Sequence, residues 1–280
     1  MAALVGISDP VALREKEERL FSILRGMERV IVAFSGGTDS AYLAWAAKHA
    51  LGANAVALTA DSASLPRSHK ADAEAFVERF GIAHEYVDTR EFENPDYARN
   101  SPDRCFHCKN ELFTRLEEVG RERGYRHIVY GVNADDLNDY RPGQNAARKH
   151  EVSAPLADAG MTKAEIRELS RQAGLPTWDR PASACLSSRI PYGTPVTIET
   201  VKVVETGEEE LKALGFRQFR VRFHGEVARI EIAREEMERA MTLAMAARLT
   251  EIFKGLGFKY VALDLEGYRQ GSLNEVLRRK

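Results

Sequence analysis

Residues Arg29 to Ser40 read RVIVAFSGGTDS, an apolar β-branched run that breaks into Ser35-Gly36-Gly37-Thr38-Asp39-Ser40. Val30, Ile31, Val32 and Phe34 predict a buried strand, because β-branched and aromatic side chains suit a pleated, packed surface. The two glycines let the chain turn sharply with its N–H groups directed at an anion. Thr38 or Asp39 then opens a helix, whose unpaired first-turn N–H groups and positive dipole end favour phosphate oxygens. Ser35 and Ser40 add hydroxyl donors, and Asp39 is placed to hold Mg²⁺ on those phosphates. The GK[ST] ending of the Walker loop is absent, so the phosphate reading is of another type.

Around this string the pattern alternates strand and helix. Strands are expected at 29–34, 54–60, 83–88 and 126–131, and helices at 38–51, 66–80, 106–123 and 162–173. Thr162 caps the last of these, with Glu165 three positions on. An N-terminal helix begins at Asp9-Pro10, with Asp9 as N-cap and Leu13, Leu20, Phe21 and Leu24 on its apolar face. Such alternation implies an α/β fold with parallel strands, right-handed helical crossovers and ligands at the carboxyl ends of the strands. From about Pro191 the order becomes a helix at 198–214, strands in RQFRVRFH and ARIEI, a helix at 234–256 and a last strand in YVALDLE. Two domains are therefore expected, 1–190 and a smaller α+β domain, 191–280, for substrate binding or oligomerisation. Trp45, Trp178 and the methionines read as core.

The 280 residues carry 40 Lys plus Arg against 42 Asp plus Glu, a net charge of −2 that gives no general attraction to nucleic acid. Residues 201–280 hold 15 basic and 13 acidic side chains, too even for a dedicated nucleic-acid module. No apolar run is long enough to span a membrane, and the start of the chain turns polar too early for a signal peptide, so a cytoplasmic protein is expected. Three cysteines cannot pair fully, which turns attention to metal or thiol chemistry. Cys105 and Cys108 form a CxxC within RCFHCK, and Cys185 lies in RPASACLSSRIPYG, flanked by Arg180 and Arg189, which are expected to favour its thiolate. A CxxC alone is half a zinc site.

Asn133, Asp135, Asp136 and Asp139 cluster in GVNADDLNDYRPG with Arg141 close by, at a strand end facing the phosphate loop, a placement suited to Mg²⁺ or ribose. Arg220 and Arg222 alternate with Val221 and Phe223, so both guanidinium groups share one strand face and suit a phosphate. Glu231 lies inside the apolar ARIEI strand. Glu208 belongs to an acidic run most simply read as an exposed helix face.

SGGTDS in its strand-to-helix setting resembles the PP-loop of ATP pyrophosphatases (adenine nucleotide alpha hydrolase-like), which release AMP and pyrophosphate. Taken with RCFHCK, GVNADDLNDYRPG, VRFH and above all ACLSSRIPYG, it resembles the LarE family of sulfur transferases over essentially the whole chain. That resemblance implies ATP and Mg²⁺ as cofactors and a pyridinium dicarboxylate mononucleotide as substrate. It implies adenylylation of a carboxylate and replacement of AMP by sulfur, for the nickel-pincer cofactor of lactate racemase. Ser35 to Ser40, Asn133, Asp136, Arg141, Arg189, Arg220 and Arg222 are then the binding residues, and Glu208 and Glu231 further candidates for metal or substrate. The resemblance also implies a homo-oligomer such as a hexamer. Some LarE-like proteins have three cysteines, here Cys105, Cys108 and Cys185, with a 4Fe-4S cluster implied whose open iron takes sulfide from a donor. Others keep only the position of Cys185 and surrender its own sulfur. The three-cysteine pattern favours the cluster. A tRNA thiolase, an amidating ATP pyrophosphatase and a non-catalytic nucleotide-binding module are the competing readings.

Overall fold

The computed structural model describes residues 9–138, 142–181 and 184–269. In chain order its elements are α1 (Pro10–Met27), β1 (Val30–Ala33), α2 (Thr38–Leu51), β2 (Ala55–Asp61), α3 (Arg67–Arg79), β3 (His84–Asp88), α4 (Pro95–Ala98), α5 (Arg104–Arg123), β4 (His127–Tyr130), α6 (Pro142–Lys149), α7 (Pro155–Asp158), α8 (Lys163–Gln172), α9 (Ile198–Ala213), β5 (Phe219–His224), β6 (Val227–Ile232), α10 (Met237–Ala240), α11 (Leu243–Gly255) and β7 (Tyr260–Leu263). The chain divides into two compact units, one of residues 1–91 and 103–183 and the other of 92–102 and 184–280.

The first unit is built on a four-stranded sheet in the order β3-β2-β1-β4, every neighbouring pair parallel. This is the α/β architecture that strand–helix alternation implies. Strand β1 lies inside the sheet, and Val30, Ile31 and Val32 are buried. One sheet face is covered by α1, α2 and α8, whose Leu20, Leu24, Leu43 and Ile166 join Val30, Val32 and Val129 in one core. On the other face, Phe113 and Leu116 of α5 pack with Ile31, Val56 and Leu58. The expected caps form: Asp9 accepts from the Val11 N–H, and Thr162 and Glu165 make a full capping box on α8. Trp45 packs against the core, whereas Trp178 stands 38% exposed on a turn after α8, contrary to its reading as core.

In the second unit, β5 pairs antiparallel with β6, and β6 parallel with β7. Helix α9 buries Val201, Val204 and Leu211, and a Cβ on Gly207 would lie 2.7 Å from the Phe253 ring of α11. The helix expected at 234–256 is interrupted: α10 ends at Ala240, and Thr242 restarts the chain as N-cap of α11 by accepting from the Met245 N–H. Met241, beside that break, is exposed rather than core. The segment 92–102 belongs to this unit through Asn100, whose amide donates to the carbonyls of Ile190, Pro191 and Thr194. Tyr97 Oη lies 2.7 Å from Ser187 Oγ. No helix among the described residues is long and apolar enough to cross a membrane.

Candidate functional site

In the first unit, Ser35 to Ser40 lie together at the carboxyl end of β1. Gly36 has φ +71°, a left-handed turn that glycine adopts without strain, and Gly37 is the N-cap of α2 with no side-chain cap. The first-turn N–H groups of α2 are thus left for an anion. Ser40 Oγ fixes the loop: it donates to the Gly37 carbonyl at 3.1 Å, accepts from the Ser35 N–H at 3.2 Å, and lies 3.0 Å from Ser35 Oγ. Thr38 Oγ1 donates to the Thr177 carbonyl at 2.8 Å.

Asp39 is the electrostatic centre of this loop. Its Oδ2 accepts from Lys163 Nζ at 2.7 Å, and its buried Oδ1 has no hydrogen-bond partner among the described residues. Burial pushes the Asp39 pKa up, and Asp136 nearby adds to the rise, against the lowering effects of Lys163 and Asn133. Two carboxylates, Asp39 and Asp136, are therefore brought near one another from the ends of β1 and β4, with one oxygen of Asp39 unsatisfied. A divalent cation on phosphates would meet that oxygen, so these residues fit Mg²⁺ and a nucleotide. Asn133 Oδ1 accepts the N–H groups of Asp135 and Asp136, which shapes the loop carrying Asp136. Gly131 makes the approach possible, since a Cβ there would sit 2.7 Å from the Ser40 nitrogen. Asp139 and Arg141 lie outside the described residues.

Sequence reasoning missed Lys163. It is the first residue of α8, and its N–H is held by Asp135 Oδ2 at 2.8 Å. A cation at a helix N-terminus opposes the dipole, and that misfit was the available signal.

Cys105 and Cys108 lie in the first two turns of α5, at a spacing that puts both on one helix face; Cys105 is exposed and Cys108 partly buried. Cys185 belongs to the second unit. Among the described residues, no three His, Cys, Asp or Glu side chains are placed to hold a metal ion.

In the second unit, Cys185 is the N-cap of a short 3₁₀ turn, Leu186–Arg189. Its carbonyl accepts from Ser188 Oγ at 2.7 Å and from Arg189 Nη1 at 3.0 Å. Arg189 is itself paired with Glu208 through Nε and Nη2, at 2.9 and 3.0 Å. Glu208 is accordingly a largely buried brace and not an exposed helix residue. Of the two arginines that flank Cys185 in sequence, Arg189 donates to the Ala184 and Cys185 carbonyls, and Arg180 pairs with Asp72 and donates to the Gly36 carbonyl. Arg222 forms a two-pronged pair with fully buried Glu231, at 3.0 and 2.8 Å, and also donates to the Ser188 carbonyl. Arg220 differs, stacking 5.0 Å from the Tyr268 ring centroid and donating to its neighbour's carbonyl. Burial, together with Arg189 and Arg222 nearby, lowers the Arg220 pKa, a crowding of cations that an anion would relieve.

A parallel sheet that presents SGGTDS, an unsatisfied aspartate and an uncapped helix at the end of its inner strand defines a PP-loop ATP pyrophosphatase domain. The NAD synthase family model matches residues 22–130, which contain this loop. Beyond that domain, the chain is 34% identical over 267 residues to pyridinium-3,5-bisthiocarboxylic acid mononucleotide synthase of Lactiplantibacillus plantarum, covering 95% of this chain and 96% of that protein. The chain belongs to that family, the LarE family. It is also 44% identical over 265 residues to an uncharacterized protein of Synechocystis sp., covering 95% and 99% of the two chains. The glutamine-hydrolyzing GMP synthase of Thermus thermophilus is 29% identical over 185 residues, 59% of this chain and 34% of that protein.

Proposed function

We propose that this protein is an ATP-dependent, AMP-forming sulfurtransferase acting on pyridinium-3,5-dicarboxylate mononucleotide, in cytoplasmic synthesis of a nickel-pincer cofactor. The observation that carries the reading is the buried Asp39 Oδ1, without a hydrogen-bond partner among the described residues, on a glycine turn at a helix N-terminus, in a chain whose relative is named for a thiocarboxylate product.

A carboxylate is a poor electrophile, because its leaving group would be oxide. In the proposed reaction its oxygen attacks the α-phosphorus of ATP and pyrophosphate departs. The α2 N-terminus and Ser35 bind phosphate oxygens, and Asp39 and Asp136 are the residues that would hold Mg²⁺. Lys163 balances Asp39 in the meantime. A sulfur nucleophile then attacks the acyl carbon, and AMP leaves with the bonding electron pair. Arg220 binds the phosphate of the mononucleotide; Arg189 and Arg222 brace the turn that follows Cys185.

Sulfur has two candidate sources. In the first, the Cys185 thiolate forms a thioester; loss of the Cys185 α-proton and cleavage of its C–S bond then leave a thiocarboxylate and dehydroalanine. The second is a 4Fe-4S cluster on Cys105, Cys108 and Cys185, a source that rests on the three-cysteine pattern of the sequence alone, since among the described residues no three His, Cys, Asp or Glu side chains are placed to hold a metal ion. Such a cluster would supply an open iron for sulfide from a donor, and the cysteines would keep their own sulfur.

Mass spectrometry of both product and protein tests the proposal. The mononucleotide should gain sulfur for oxygen, only with ATP present. Protein that loses H₂S from Cys185 after one turnover identifies the cysteine as the source, and Cys105→Ala should then keep single-turnover activity. Brown, iron-containing protein of unchanged mass after several turnovers identifies the cluster. A mononucleotide unchanged under all these conditions contradicts the function.

A further inference from the structure

The Gly36 carbonyl is held from outside the phosphate loop. Arg180 Nη1 donates to it at 3.1 Å, and Arg180 Nη2 donates to Asp72 on α3. The turn that carries Arg180 is itself anchored: the Thr177 carbonyl accepts from Thr38 Oγ1 at 2.8 Å, and the Arg180 carbonyl from Arg167 Nη2 at 2.9 Å. A trans peptide is planar, with its C=O and N–H pointing in opposite directions. Fixing the Gly36 oxygen on a guanidinium therefore fixes the Gly37 N–H on the other side of the same peptide.

Glycine at both positions gives this peptide unusual freedom, including the flipped state in which an oxygen would face an incoming phosphate. We infer that Arg180 is a positioning residue for the nucleotide, one that prevents this flip and presents the Gly37 N–H to the phosphate oxygens of ATP. The inference rests on the ATP reading above. A planar fork suits the task, because one guanidinium serves a carbonyl and a carboxylate together. Asp72 is 55% exposed, and a pair of that kind contributes little by itself. The bond to Gly36 is the functional one.

The test compares binding of Mg-ATP and of adenosine, which has no phosphate, to wild-type, Arg180→Ala, Arg180→Lys and Asp72→Asn proteins, with thermal melting of each. Arg180→Ala should lose about tenfold to a hundredfold in ATP affinity while adenosine affinity stays unchanged. Arg180→Lys, which keeps a donor for the Gly36 carbonyl, should recover most of the loss even if the alanine variant melts early. Asp72→Asn should stay within about threefold of wild type for ATP. Unchanged ATP affinity in Arg180→Ala overturns the inference. So does an equal loss in Asp72→Asn, or a parallel loss of adenosine. Wild-type protein that binds adenosine and Mg-ATP no differently overturns the ATP reading itself.

Discussion

Replacing Gly131 by Ala should damage the nucleotide site without removing any group that binds nucleotide. Gly131 follows β4, and its φ lies outside the left-handed region, so the obstacle to a side chain is steric. A built Cβ lies 2.7 Å from the Ser40 nitrogen and 3.0 Å from both the Asp39 carbonyl carbon and the Ser40 Cα, where ordinary contact begins near 3.4 Å. The difference, 3.4 minus 2.7, requires about 0.7 Å of separation between β4 and the start of α2, and the obstructing atoms are backbone that no rotamer change relieves. Overpacking of this kind costs about 1 to 3 kcal/mol of stability. Misplacement by about an ångström costs roughly a hundredfold in rate where geometry must be held, so kcat/KM for ATP should fall about tenfold to a hundredfold. Pyrophosphate release with ATP varied at saturating mononucleotide, alongside thermal melting, measures both effects. Wild-type kcat/KM and an unshifted melting temperature in Gly131→Ala would refute the close packing of β4 against the phosphate loop.

Gly26→Ala is the matching control: nothing lies within 4 Å of its Cβ position in α1, so this variant should gain about 0.5 to 1 kcal/mol in denaturant titration and keep full activity. Because burial raises the Asp39 pKa and Mg²⁺ needs the ionised carboxylate, Mg-ATP affinity should weaken as pH falls, starting above the ordinary aspartate range, and Asp39→Asn should abolish that dependence in calorimetric titrations. Arg220→Ala should lower mononucleotide affinity about tenfold to a hundredfold with ATP affinity retained, as read by paired binding isotherms. Arg222→Ala should instead destabilise the second unit by about 1.5 to 3 kcal/mol, because it strips fully buried Glu231 of its two-pronged partner while Arg229 stays 3.2 Å away, an effect measured by chemical denaturation.

What was legible in the sequence was local. SGGTDS declares its turn, the Asp9 and Thr162 caps announce α1 and α8, and hydrophobic period separates strands from helices, because each of these is decided within a few residues. The break at Thr242 was hidden, since LTEIFKG continues the apolar helical pattern that EEMERA begins and only the cap marks the restart. Side-chain partners from distant segments were hidden as well. Arg220 and Arg222 are two residues apart on one strand and looked equivalent, yet Arg222 is taken by Glu231 of the neighbouring strand while Arg220 lies against Tyr268. Lys163 reaches Asp39 across 124 residues of chain, and Glu208 reaches Arg189 from the next helix, so neither pairing is written in local spacing.

The central claim is that the SGGTDS loop directs cleavage of ATP between its α and β phosphates. Phosphorus NMR of the complete reaction, with ATP, Mg²⁺ and pyridinium-3,5-dicarboxylate mononucleotide, reads the position of cleavage directly. The account predicts AMP and pyrophosphate in equal amounts, dependent on the mononucleotide and abolished in Asp39→Ala. ADP and inorganic phosphate would contradict it.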